Sequence, residues 1–293
     1  MFSGTFTALI TPFKGDESID EDALRKLVDA QIDAGVNGLV PVGTTGESPT
    51  VTHEENLKVI EIVVEQVNGR VPVIAGTGSN STAEAIQMTL KAKEIGADAS
   101  LQVAPYYNKP NQDGFYRHFT AIGDAVDLPM VVYNIPGRTG KNIETDTLMR
   151  LAEHPNIVAV KEASGSIPQI MEVAARKPED FGLLSGDDNL AFSVVALGGS
   201  GVVSVASNAA PGQVGKMIKL ALDGKLEKAR AEHYRLLPLF KMVFFDTNPI
   251  PIKYAMSLLG YCEEVYRLPL CELSADNKDK VKSVLTNLGL LEN

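Results

Sequence analysis

One lysine in this chain stands directly after a run that otherwise avoids charge: Ile157-Val158-Ala159-Val160 leads into Lys161. Consecutive apolar residues of this kind read as a strand covered by protein on both faces, so the ammonium sits where the strand leaves the core. Desolvation disfavours the charged form of a lysine and leaves its amine a usable nucleophile near neutral pH, whereas a lysine that merely snorkels to water would look the same in isolation. Other apolar runs end in polar groups too. Met130-Val131-Val132 is followed by Tyr133 and then by Asn134-Ile135-Pro136-Gly137-Arg138-Thr139-Gly140. A hydrogen-bonded phenol relays protons, and an arginine offers a two-pronged clamp for a carboxylate. Gly43-Thr44-Thr45-Gly46-Glu47 presents two hydroxyls and backbone amides between glycines that let a ligand come close, an arrangement able to hold a small carboxylate. Ser185-Gly186-Asp187-Asp188 and Gly198-Gly199-Ser200-Gly201-Val202-Val203 contribute small residues that leave room beside the lysine, make a phosphate site, or permit close packing.

What is missing narrows the chemistry further. His53, His118, His154 and His233 are scattered, and none forms a His-x-x-x-His or Cys/His cluster, which disfavours a metal-dependent enzyme. Gly76-Thr77-Gly78-Ser79-Asn80-Ser81 begins like a dinucleotide loop, but Ser81 stands where the third glycine belongs, and no P-loop occurs; a plain strand-to-helix turn accounts for it. No cofactor is called for. The formal charge of −10, from 27 basic and 37 acidic residues without a Lys/Arg cluster, argues against nucleic acid as a partner. Two cysteines, Cys262 and Cys271, form neither a zinc pattern nor a disulfide framework. With no membrane-length apolar run and no signal-peptide core, the expected location is the cytoplasm.

These groups need a scaffold that gathers strand ends. Short apolar runs alternate with amphipathic stretches up to about residue 220, the pattern of repeated βα units on a parallel sheet. The strands read as Thr5–Ile10, Gly38–Val42, Val71–Ala75, Ser100–Ala104, Met130–Asn134, Val158–Lys161, Gly182–Ser185 and Gly201–Ser204. Eight such strands predict an α/β (β/α)₈ TIM barrel, with an open doubly wound sheet as the alternative, and in the barrel the active site lies at the C-terminal ends of the strands. Thr52-His53-Glu54-Glu55 and Ser81-Thr82-Ala83-Glu84 both fit a capping box. Beyond Asp223 the pattern turns helical, over Lys225–Phe245, Pro251–Leu259 and Ala275–Leu288. The expected organisation is a catalytic barrel over residues 1–223 and a C-terminal helical domain over 224–293 packed on it. Tyr106 and Tyr107 follow the fourth strand in a loop where two exposed aromatics suggest a homo-oligomeric contact.

In this order and spacing the motifs above, together with Ala104-Pro105-Tyr106-Tyr107-Asn108-Lys109-Pro110, Val160-Lys161-Glu162-Ala163 and Asn248-Pro249-Ile250-Pro251-Ile252-Lys253, resemble the dihydrodipicolinate synthases within the N-acetylneuraminate lyase group of pyruvate class I aldolases. The likeness runs along essentially the whole chain. It implies a Schiff-base lyase of the diaminopimelate route to lysine, joining pyruvate to L-aspartate 4-semialdehyde and yielding a product that cyclises to 4-hydroxy-tetrahydrodipicolinate.

Carried over by position, the resemblance implies that Lys161 forms an imine with pyruvate, and that Tyr133, Thr44 and Tyr107 form a proton relay, with Tyr107 reaching in from a neighbouring subunit. Thr45 holds the pyruvate carboxylate, Gly186 and Val203 line the pocket, and Arg138 positions the semialdehyde. Val203 stands where isoleucine is common. The implied assembly is a homo-oligomer, a dimer or a dimer of dimers making a homotetramer. In lysine-inhibited relatives the effector meets positions matching Ser48, His53, Asn56, Asn80, Glu84 and Tyr106; Asn56 departs from the usual histidine and Pro49 from a smaller residue, which predicts weak inhibition by L-lysine. The chemistry agrees with the analogy, since an imine nitrogen gives pyruvate an electron sink without a metal. Two alternatives stand beside this one. Another pyruvate aldolase, such as an N-acetylneuraminate or 2-keto-3-deoxy sugar-acid lyase, would share the imine machinery, but Arg138 suits a short charged aldehyde. A non-catalytic lysine-binding barrel is the remote one, because fold alone does not guarantee activity.

Overall fold

In a computed structural model describing residues 2–292, eight parallel strands alternate with helices: β1 Gly4–Ala8, β2 Gly38–Val40, β3 Ile74–Gly76, β4 Ala99–Val103, β5 Met130–Asn134, β6 Ile157–Glu162, β7 Gly182–Ser185 and β8 Gly201–Ser204. The ladder runs β2-β1-β8-β7-β6-β5-β4-β3, and its two ends meet through the parallel bridge Leu39↔Val73 and the bond from Leu39 N–H to the Pro72 carbonyl. The sheet therefore closes into the expected TIM barrel, and the open doubly wound alternative is ruled out.

Strand boundaries moved for local reasons. β2 ends at Val40, not Val42, because the chain turns at Val42 with φ of 53°, a left-handed conformation that ends pairing. β3 starts at Ile74, not Val71, since Pro72 has no N–H to give to a ladder. β6 is longer than expected, from Ile157 to Glu162.

Alternation of side chains along each strand decides which residues face the barrel axis. Phe6, Ala8, Val40, Ile74, Leu101, Val131, Ala159, Leu184 and Val203 pack together as the interior cluster. Tyr133 lies two residues beyond Val131 and Lys161 two beyond Ala159, so both continue the inward face to the C-terminal mouth. The alternate set, including Met130, Val132, Val160 and Leu183, packs against the surrounding helices.

Beyond the barrel the helices are Leu226–Met242, Ile250–Leu258 and Ala275–Asn287, each within a few residues of the range expected. Leu236, Leu239, Phe240, Ile252, Met256, Val281 and Leu285 join the apolar cluster that also holds Leu24, Val28, Ile60 and Val63 of the first two barrel helices. Of the two expected capping boxes, Thr52 and Glu55 form theirs reciprocally. The second is half built: Ser81 accepts from Glu84 N–H, but the Glu84 carboxylate turns instead to the Ser79 hydroxyl and to His53. Ser81 N–H is taken by Ser79 Oγ, so the return bond is not needed. Among the described residues no helix is long and apolar enough to cross a membrane.

Candidate active site

The register places Tyr133 beside Lys161 across β5 and β6. Their side chains meet in the mouth, with Lys161 Nζ 4.0 Å from the centre of the Tyr133 ring, and both residues are buried. Burial brings the Lys161 amine down to about 8 from the usual 10.5; Asp187 and Asp188 act against that shift and Arg138 with it. At pH 7 roughly one molecule in ten then carries the free amine, against about one in three thousand for an unperturbed lysine. That difference is enough to turn an inert cation into a nucleophile. The Tyr133 phenol is pushed up by its burial, and the Arg138 guanidinium and the Thr44 side chain pull the other way. The phenol thus keeps its proton and can hand it on only as part of a hydrogen-bonded relay.

Room for a substrate beside the amine is set by Gly186. A Cβ at that position would lie 2.7 Å from Ala163 Cβ and 3.2 Å from Lys161 Cε, so any larger residue would press on the lysine. Val203 belongs to the interior cluster with Tyr133 and Ala159, forming the apolar floor. Next to Gly186, burial raises the Asp187 carboxyl to about 6, and the Lys161 ammonium acts against the shift. Asp188 is buried and has a different use: its carboxylate accepts from the Ser204 hydroxyl and from the Val205 and Ala206 N–H groups, tying β7 to β8. The sequence alone gives neither aspartate a role, although both follow the end of β7.

The Gly43–Glu47 loop is a tight double turn, with Gly46 N–H bonded to the Gly43 carbonyl and Glu47 N–H to that of Thr44. Thr45 N–H has no partner among the described residues, which suits an anion-binding amide. Left-handed φ values at Val42 (53°) and Glu47 (56°) bracket the loop. Such positions persist only where surrounding contacts over-determine them, and here the Thr11 hydroxyl bonds the Gly46 carbonyl and further contacts come from the C-terminal segment. Lys253, fully buried, donates to the Glu47 carboxylate and lies 4.0 Å from the centre of the Phe13 ring. Asn248 Nδ2 donates to Thr45 Oγ1 at 3.0 Å. The Asn248 carbonyl also accepts from Arg138, whose guanidinium lies 3.0 Å away, above the mouth on the one-turn helix Pro136–Thr139. Asn248, Glu47 and Lys253 lie in motifs that carry the family likeness, yet nothing in their spacing linked them to Thr45 and Arg138. Only the fold does that.

Of the residues singled out from sequence, Lys161, Tyr133, Thr44, Thr45, Gly186, Val203 and Arg138 converge on the C-terminal mouth. Tyr107 does not. It is 90% exposed, its φ is 68°, and its side chain makes no hydrogen bond among the described residues. Ser48, His53, Asn56, Glu84 and Tyr106 line a cleft that also contains Thr44 and Tyr133, and Asn80 closes one side by donating to the Tyr106 carbonyl at 3.2 Å. Within that cleft His53 Nε2 lies 2.8 Å from the Glu84 carboxylate, and the Asn56 side-chain oxygen is buried without a partner among the described residues.

Comparison with known proteins follows the same outline. The model of the dihydrodipicolinate synthetase family matches residues 1–288. A 4-hydroxy-tetrahydrodipicolinate synthase of Chlorobium phaeobacteroides is 50% identical over 290 residues, 99% of this chain and 98% of that one. The crystal structure of dihydrodipicolinate synthase from Aquifex aeolicus is 48% identical, superposes with a TM-score of 0.98 and covers each chain completely. A crystal structure of the enzyme from Cyanidioschyzon merolae with lysine bound is 44% identical, with a TM-score of 0.97 and 99% of each chain covered.

Proposed function

The chain belongs to the dihydrodipicolinate synthetase family, and on that premise we propose that it acts as a 4-hydroxy-tetrahydrodipicolinate synthase, a lyase joining pyruvate to L-aspartate 4-semialdehyde in diaminopimelate and lysine synthesis. The observation that carries the chemical reading is the Lys161 amine, buried at the barrel mouth against Tyr133 and brought down to about 8. The amine attacks the ketone carbon of pyruvate and water departs, leaving an imine whose nitrogen draws electrons from the neighbouring methyl group. Loss of a methyl proton gives an enamine, and its carbon attacks the aldehyde of the second substrate. Tyr133 and Thr44 move protons in these steps, with Tyr107 of a second copy completing the relay. Thr45 holds the pyruvate carboxylate through its unpartnered N–H and its hydroxyl, Gly186 and Val203 shape the pocket, and Arg138 takes the carboxylate of the semialdehyde.

Several parts of this reading extend past the chemistry. The exposure of Tyr107 and of Tyr106, 42% accessible, supports a homo-oligomer, a dimer or a dimer of dimers, in which the neighbour covers them. L-Lysine is proposed as an inhibitor at Ser48, His53, Asn56, Asn80, Glu84 and Tyr106, supported by the cleft that all of them but Asn80 line together with Thr44 and Tyr133, and by the bond from Asn80 to the Tyr106 carbonyl. Residues 1–223 act as the catalytic barrel and residues 224–293 as the helical unit packed on it, in the cytoplasm. No nucleic acid or membrane partner and no metal or cofactor enters the scheme.

The test is reduction by borohydride in the presence of pyruvate, which should attach a pyruvate-derived group to Lys161, together with turnover of pyruvate and aspartate semialdehyde in a coupled assay. Lys161→Arg should abolish both. Labelling that persists in the variant would sink the mechanism, and faster turnover with sialate than with the semialdehyde would move the chain to the neighbouring lyases.

A further inference from the structure

We propose that Asn248, supplied by the C-terminal extension, is a positioning residue that fixes the direction of the Thr45 hydroxyl proton. The inference rests on the reading of Thr45 as a carboxylate ligand. Asn248 is 5% exposed, and its amide makes one hydrogen bond, from Nδ2 to Thr45 Oγ1 at 3.0 Å; its Oδ1 is buried and has no partner among the described residues. A buried amide with half its capacity unmet is a poor structural choice, and such a group calls for a reason other than stability.

The reason lies in which partner donates. Thr45 is itself 3% exposed, with few directions open to its proton. An amide donor occupies a lone pair on Thr45 Oγ1, so the hydroxyl must give its own hydrogen elsewhere, toward the mouth where the pyruvate carboxylate is placed. A residue that accepted from Thr45 would turn the proton away and leave oxygen lone pairs facing an anion. The backbone carbonyl of the same residue accepts from Arg138 at 3.0 Å, so one residue braces the groups assigned to both substrates: its side chain serves pyruvate and its main chain the aldehyde.

Asn248→Asp separates the two roles, because it reverses the side-chain polarity and keeps the carbonyl. Losing a hydroxyl bond to a charged group predicts a KM for pyruvate raised about tenfold or more, with the KM for the semialdehyde and kcat within about twofold of the parent. Thr45→Val should raise the pyruvate KM to the same degree, and adding Asn248→Asp to it should change the KM by less than about twofold. Asn248→Ala, which unpins the hydroxyl without reversing it, should give a smaller rise and serves as the readout if the aspartate variant does not fold. An unchanged pyruvate KM in Thr45→Val overturns the Thr45 reading itself. A raised KM in Thr45→Val with none in Asn248→Asp overturns only the positioning role, as would an Asn248→Asp effect undiminished on the Thr45→Val background.

Discussion

Replacing Lys253 by methionine tests how firmly the C-terminal helices hold the substrate loop. The Lys253 ammonium and the Glu47 carboxylate are both without solvent exposure, and the other donor near that carboxylate is the Arg267 N–H at 3.5 Å. Methionine fills much of the same volume but leaves a buried anion with one long hydrogen bond. Breaking a buried pair from one side costs about 3–5 kcal/mol. At about 2.1 cal/mol/K per residue, 293 residues carry an unfolding entropy of about 0.6 kcal/mol/K, so the midpoint should fall by about 5–8 °C in a calorimetric scan. Replacing both partners, with Glu47→Leu beside Lys253→Met, should recover most of that loss, because the stranded charge has gone. Steady-state kinetics should separate the outcomes: Lys253→Met raises the KM for pyruvate, since the left-handed turn at Glu47 loses its anchor. A single variant melting within about 1 °C of the parent, or a double variant destabilised by the sum of the two single changes, would refute the reasoning.

Other consequences follow from the site. Arg138→Leu should raise the KM for the semialdehyde at least tenfold, the order expected for a lost charge-assisted bond, while borohydride trapping of pyruvate stays at the parental rate; equal loss of trapping would contradict the division of roles. Imine formation needs the neutral amine, so the trapping rate should rise with pH and level off above about 8; a midpoint near 10.5 would show that Lys161 is not desolvated. Asp187 holds that midpoint up, so Asp187→Asn should move it to lower pH, and an upward move would show that the carboxylate acts otherwise. Co-expressed Lys161→Arg and Tyr107→Phe chains should regain activity in mixed oligomers, because one site of each mixed pair has an intact lysine and the other chain's tyrosine; inhibition curves should show L-lysine acting weakly on the parent and more strongly on Asn56→His, and millimolar lysine without effect on either would remove the regulatory role.

The barrel was legible because its signal is repeated. Eight apolar runs with helical stretches between them leave little choice of architecture, and the same runs exposed Lys161 and Tyr133 as polar residues at the ends of strands that otherwise avoid them, although only the register shows that both face inward. The Thr44-Thr45 turn was visible through its flanking glycines. Errors arose where the deciding interaction lay outside the window being read. Pro72 delayed β3 through a missing donor, and Val42 cut β2 short by adopting a conformation that its β-branched side chain disfavours. At Ser81 the spacing to Glu84 satisfied the capping-box pattern, but a serine two residues earlier had taken the amide, freeing the carboxylate to face His53 across the cleft. Residue type and position mark Tyr107 only as an exposed aromatic; the role proposed for it in a second copy comes from the family resemblance alone, because the packing of its own chain carries no sign of it.

The long-range contacts show why the C-terminal helices belong to the chemistry as well as to the fold. A βα loop at a barrel mouth is bordered by solvent, and backbone strain there relaxes unless something outside the barrel opposes it. Here the Thr11 hydroxyl holds the Gly46 carbonyl, and further contacts come from beyond residue 245: Asn248 on Thr45, Lys253 on Glu47, and Arg267 on the Thr50 carbonyl and the Glu55 carboxylate, which is also the carboxylate of the intact capping box. Glu55 opens the helix whose first turn carries His53 and Asn56. The segment from Thr44 to Asn56 is therefore braced by C-terminal side chains, with the Thr44-Thr45 turn at one end and the His53 and Asn56 wall of the cleft at the other.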